Sequence, residues 1–141
     1  MKNAITDVSG IKVGQESDFQ GFTGCTVILC ESGATGGIDI RGTASGTRQV
    51  DSLNPLHLVP YVHAVCIAGG SAYGLDASSG VMQFLEEKGI GLEFFVGKVP
   101  IVPSANLFDL FFGDAKARPH KEMGYRAVSY THLRAHETGR N

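Results

Sequence analysis

The sequence predicts a mixed α/β chain of the α+β class. Three observations carry that prediction. Residues 22–31 (FTGCTVILCE) and 62–68 (VHAVCIA) are dense in β-branched and apolar side chains over strand lengths. Residues 72–88 space their apolar side chains at helical intervals. Strand and helix signals also alternate, so helices can cover a sheet.

The elements follow in chain order. Residues 5–13 (ITDVSGIKV) read as two short extended pieces around a Ser9-Gly10 turn. Residues 22–31 read as a strand that Ser32-Gly33 ends, and residues 34–41 (ATGGIDIR) as its hairpin partner, with Ile38 and Ile40 alternating against Asp39 and Arg41. Asn54-Pro55 can open a short helix, Asn as N-cap and Pro at the first helical position. Residues 62–68 fit a fully buried strand, which Gly69-Gly70 ends. Ser71 then reads as an N-cap, with Leu75, Ser78 or Ser79, Met82 and Leu85 on one helix face and Gly89 as the stop. Residues 92–96 and 99–102 read as strands around Gly97. Residues 106–112 (NLFDLFF) fit strand or helix, and nothing after them is expected to cover their aromatic side chains.

Composition excludes several classes. Of 141 residues, 43% are hydrophobic and 18% charged, which supports a packed core and argues against a disordered chain. A formal net charge of −2 without a basic cluster argues against a nucleic-acid partner. The 19 glycines show no G-X-Y period and point to tight turns or close backbone approaches. The three cysteines have no metal-type spacing, and the odd count without a secretory signal fits a reducing compartment. No apolar run reaches the ~20 residues that span a bilayer. A soluble, cytoplasmic chain that needs no metal or cofactor is the expectation.

The chain also divides near Arg118. Before it acidic residues outnumber basic ones; from Pro119 the balance reverses, and His120, His132 and His136 cluster there. The stretch VSYTHLRAHET resembles translated sequencing adapter at the ends of reading frames from environmental DNA. Residues 1–118 are therefore expected to form the domain and residues 119–141 a non-native or disordered tail, the join lying between Arg118 and Val128. The pair His132 and His136 mimics a helical metal pair, but its order with Glu137 is not H-E-x-x-H.

Chemistry is concentrated at Gly69-Gly70-Ser71-Ala72-Tyr73-Gly74, a strand-to-helix junction. Free N–H groups at a helix start can hold an anion or a developing oxyanion. Ser71 sits where a nucleophile elbow would place its serine, but position 73 is Tyr where G-x-S-x-G needs Gly. His57 and His63 are the available bases, and His63 falls in a buried run that favours a core histidine. Asp109 and Asp114 fit capping roles better than a paired-carboxylate site. No catalytic set can be assembled from these residues alone.

Four stretches together resemble a family. ITDVSGIKVGQ, GGIDIRGTASGTRQVDSLNP, VHAVCIAGGSAYGLDASSGVMQFLEEKGIG and VPIVPSANLFDLFFGD occur in the order seen in the L-aminopeptidase/D-esterase (DmpA-type) peptidases, over about residues 4–118. The resemblance implies an α-β-β-α sandwich like that of ornithine acetyltransferase, incomplete in this chain. It also implies self-cleavage ahead of a Ser or Thr, which becomes an N-terminal nucleophile and attacks N-terminal aminoacyl peptides, amides or esters. It further implies a homo-oligomer of processed αβ units. Gly70, Ser71, Tyr73 and Asn106 would then line the substrate side of the pocket. The nucleophile segment has no counterpart here, so the catalytic residues are unknown and this chain is expected to be inactive. Phe108 stands where aminopeptidase members carry a tyrosine, and brings no hydroxyl. Two alternatives remain at this point: a small serine esterase using Ser71, and a non-catalytic module holding a small carboxylate at the Gly69–Gly74 junction.

Overall fold

The computed structural model describes residues 3–131. A five-stranded sheet runs in the order β1 (Lys12–Asp18), β2 (Thr23–Ala34), β4 (Val62–Ala68), β7 (Ser104–Asn106), β3 (Thr47–Arg48). The first three strands are antiparallel, β7 joins β4 in parallel, and β3 closes the edge antiparallel to β7. The parallel step is bridged by helix α1 (Ala77–Glu87) and a separate hairpin of β5 (Leu92–Phe94) and β6 (Gly97–Val99). A second helix, α2 (Lys121–Ser129), follows. The α+β class is as the sequence predicts.

Period-2 alternation sorts the central strands into two faces. Cys25, Val27 and Leu29 of β2 lie opposite Ala68, Cys66 and Ala64 of β4, and all six are buried. Both helices pack on this face. Ala77, Val81 and Leu85 of α1 and Met123, Ala127 and Val128 of α2 complete the core. Burying each large apolar side chain contributes roughly 1.5–3 kcal/mol. Thr26, Ile28, Val65 and Ile67 point the other way, and each is only partly buried.

The two helices touch backbone to backbone. A Cβ on Gly124 would fall on the Ala77 carbonyl oxygen, and one on Gly80 on the Lys121 carbonyl oxygen. Only glycine allows that approach. Tyr125 Oη donates to Glu87 Oε2 at 2.6 Å, and Arg126 Nε donates to Glu16 Oε1 at 3.0 Å. His120 caps α2, its Nδ1 accepting the Met123 N–H. The packed body therefore does not stop at Arg118. Of the 119–141 stretch set apart by composition, residues 121–129 form a helix built into the core. His132 and His136 lie outside the described residues.

Several local expectations are corrected. Residues 34–41 form no partner strand for β2, because β1 and β4 occupy both its edges; Ile38 and Ile40 stay 46% and 47% exposed. Asn54 ends a short 3-10 turn, Val50–Leu53, instead of opening a helix. Its Oδ1 accepts the Leu56 N–H, and Leu56 and Leu58 find no core to pack against. Residues 5–7 form a 3-10 turn, with β1 beginning at Lys12. In the 106–112 segment only Asn106 is strand, and Phe108, Phe111 and Phe112 are exposed.

Candidate functional site

The parallel pairing of β4 with β7 sets Ala68 beside Asn106. The Gly69–Tyr73 turn and the Leu107–Asp109 segment therefore leave the sheet side by side. Leu107 N–H donates to Ala68 O at 2.8 Å, and Ser71 N–H donates to Leu107 O at 3.0 Å. Asp109 fastens the arrangement. Its Oδ1 accepts the Gly70 N–H at 2.6 Å, and its Oδ2 accepts the Thr23 hydroxyl at 2.7 Å. Gly69 has no alternative residue, because a Cβ there would collide with that carboxylate and with Thr23 Oγ1.

The turn is left-handed at two residues, Gly70 (φ 80) and Ser71 (φ 55). Glycine takes this conformation freely; serine does so at a cost of roughly 1–2 kcal/mol. Ser71 is thus not an N-cap. It begins a 3-10 helix, Ser71–Asp76, and α1 starts only at Ala77. The N–H groups expected to be free for an anion are engaged at Gly70 and Ser71, by Asp109 and by the Leu107 carbonyl. A protein carboxylate already fills that position.

The four residues singled out from sequence fall close together in the fold. Gly70 and Ser71 form the turn. Tyr73 is 62% exposed, with the Arg118 guanidinium 3.8 Å over its ring. Asn106 ends β7, its side-chain amide packed where a Cβ on Gly46 would be and its N–H donating to Gly46 O. Among the described residues no side-chain hydrogen bond joins Ser71 to a base. His57 lies on an exposed loop. His63 is buried, and its Nδ1 accepts the Ile101 N–H at 3.2 Å, which makes it a core histidine. Burial pushes its pKa below the ordinary 6.5. Asp114 caps its own turn through Lys116 N–H. Among the described residues no three His, Cys, Asp or Glu side chains converge as a metal site would require.

Asp109 and Thr23 are the residues of the candidate site that sequence reasoning did not join. They lie 86 positions apart, and the only trace in the sequence is Gly69, whose missing side chain makes room for both.

Comparison with known proteins decides the family. The model of peptidase family S58 matches residues 3–140. The chain belongs to peptidase family S58. It is 47% identical over 133 residues to an uncharacterized aminopeptidase of Mycobacterium leprae, covering 89% of this chain and 37% of the relative. An uncharacterized aminopeptidase of Mycobacterium tuberculosis shows 47% identity over 135 residues, 90% of this chain and 39% of the relative. A 6-aminohexanoate-oligomer endohydrolase of Paenarthrobacter ureafaciens shows 33% over 126 residues, 88% and 32%. This S58 chain thus spans less than two fifths of the length of the relatives it matches. No helix among its described residues is long and apolar enough to cross a membrane.

Proposed function

We propose that this chain is the pocket-lining α-chain part of an S58 hydrolase that removes N-terminal aminoacyl groups from peptides, amides or esters. Gly70, Ser71, Tyr73 and Asn106 line the substrate side, and Asp109 fastens the turn at Gly70. The nucleophile is the Ser or Thr that self-cleavage exposes in the remainder of the full-length enzyme. Its freed α-amine acts as base, and a water then hydrolyses the acyl-enzyme. We place the enzyme in the cytoplasm as a homo-oligomer, a reading that the three unpaired cysteines support for the compartment.

The observation that carries this reading is the Thr23–Asp109–Gly70 knot at the ends of β4 and β7. It fixes a strained turn beside the uncovered sheet face, which is where structural strain serves a binding site. Phe108, 60% exposed next to Asp109, offers a ring and no hydroxyl, which favours amide and ester substrates held by apolar contact.

The test is direct. The purified chain, offered aminoacyl p-nitroanilides and esters, is expected to show no turnover above buffer. Turnover that disappears in Ser71→Ala would assign the reaction to a self-contained serine esterase and remove the α-chain reading.

A further inference from the structure

We infer that the cavity between the β1–β2 turn and the end of β4 is an acyl-chain subsite, which takes an unbranched apolar segment of an amide or ester substrate. The inference rests on the hydrolase reading above and adds to it what part of a substrate is recognised and where.

The cavity has a volume of ≈ 390 Å³ and opens on the uncovered face of the sheet. That is within the usual size of a small-molecule site. Thr26 and Ile67, which face each other across β2 and β4, form its floor, and Phe19, Phe22 and Leu107 stand around it. It adjoins the knot directly, since Thr23 lines the cavity and donates to Asp109.

Apart from the exposed Ser17 hydroxyl, the polar side chains on the lining have partners within the protein. Thr23 gives its hydroxyl proton to Asp109, and Thr26 Oγ1 accepts from Gln15 Nε2 at 3.2 Å. Asp18 Oδ1 accepts the Gln20 and Gly21 N–H groups, and Glu16 pairs with Arg126. What remains for an occupant, besides the Ser17 hydroxyl, is the rings of Phe19 and Phe22 and the Leu107 and Ile67 side chains. Such a surface recognises hydrocarbon rather than a charged head group.

The wall is also built at a cost. Phe22 has φ 56, a conformation that a bulky residue keeps only where its surroundings hold it. Gly113 makes room for it: a Cβ there would meet the Gly21 carbonyl and, at 2.8 Å, the Phe22 ring. The ring is nonetheless 66% exposed, so the strain is not offset by burial in this chain's own core. The ring stands on the wall of the cavity.

The experiment titrates the 141-residue chain with acetamide, butanamide and hexanamide, reading side-chain NMR shifts. Affinity is expected to rise about fourfold per added methylene, with the shifts centred on Ile67, Leu107 and Phe22. Phe22→Gly should fold at least as well, because glycine suits the left-handed backbone, and should flatten the chain-length series. Phe19→Ala, at an exposed position, should weaken it in the same direction. A flat series in the parent chain, a slope unchanged in Phe22→Gly, or shifts centred elsewhere would each overturn the subsite. These failures are distinct from failure of the hydrolase reading. Turnover by the chain alone sinks that reading whatever the amide series shows, whereas a flat series without turnover sinks only the subsite.

Discussion

The two faces of the central sheet are made from the same strands and finished to different degrees. On one face Cys25, Val27, Leu29, Ala64, Cys66 and Ala68 are sealed by α1 and α2. On the other, Thr26, Ile28, Val65 and Ile67 alternate with them and are left partly open. The first face shows what a completed interface looks like in this molecule: glycines at the closest approaches, paired charges around the rim, and no buried side-chain polar atom without a partner among the described residues. The second has left-handed backbone at Phe22, just before β2, and apolar rings standing in solvent. Core order and pocket order are thus separable properties of one sheet. Left-handed backbone occurs as well at Ser71, past the end of β4, and at Gln49, beside β3.

The comparison breaks most visibly at the helix contact. Gly124→Leu places a side chain on the Ala77 carbonyl and should cost about 3 kcal/mol or more in urea unfolding. An unchanged midpoint would mean that α2 does not seal the covered face. At the boundary between the faces, Asp109→Ala should cost about 2 kcal/mol, since Gly70 N–H and Thr23 both lose their acceptor. Asp109→Asn should cost about half that, with the Gly70 amide proton moving upfield in both variants. Equal stability for all three chains would remove Asp109 from its fastening role.

A smaller effect separates the faces by pH. His63 is held neutral because burial lowers its pKa, so the unfolded chain takes up the proton more readily than the folded one. Its contribution to stability is complete above the ordinary value of 6.5 and is lost as pH falls below it. The melting temperature should decline over that range, and His63→Gln should decline less steeply. Equal slopes would show that the bond to Ile101 is not linked to protonation. Smallest in energy is a difference in thiol reactivity. Burial pushes the thiols of Cys25 and Cys66 up to about 12, and the neighbouring Cys66 adds to the effect at Cys25. At pH 8 a thiol reagent should label Cys30 rapidly and the other two only on unfolding. Three fast thiols would contradict a sealed face.

What the sequence disclosed follows from which signals are local. Val62–Ala68 is apolar but for His63 because both faces of a central strand meet protein or pocket, and its limits are readable to the residue. Phe108, Phe111 and Phe112 are exposed as expected, but for another reason: α2 follows them and spends its apolar side chains on the core. Helix α2 escapes because it is only nine residues long and mostly polar, and two of the four residues on its contact face, Met123, Gly124, Ala127 and Val128, are small ones that serve close packing. The change of composition at Arg118 is real in the sequence and is no break in the packing. Residues 34–41 mislead because alternation identifies an extended piece but not its neighbour, and β4, nearly thirty residues on, takes the edge of β2 instead. Of the candidate site, the glycine-rich turn was legible from its residues. Its clamp was not, because Asp109 and Thr23 meet only through the fold.

The most direct test of the two-faced sheet uses neighbours on one strand. In a Cys30→Ser background, Ile67→Cys puts a thiol on the open face next to buried Cys66. The account predicts rapid, stoichiometric labelling of the introduced thiol under native conditions, with Cys66 protected until the chain unfolds. Protection of the introduced thiol, or labelling of Cys66 at the same rate, would contradict it.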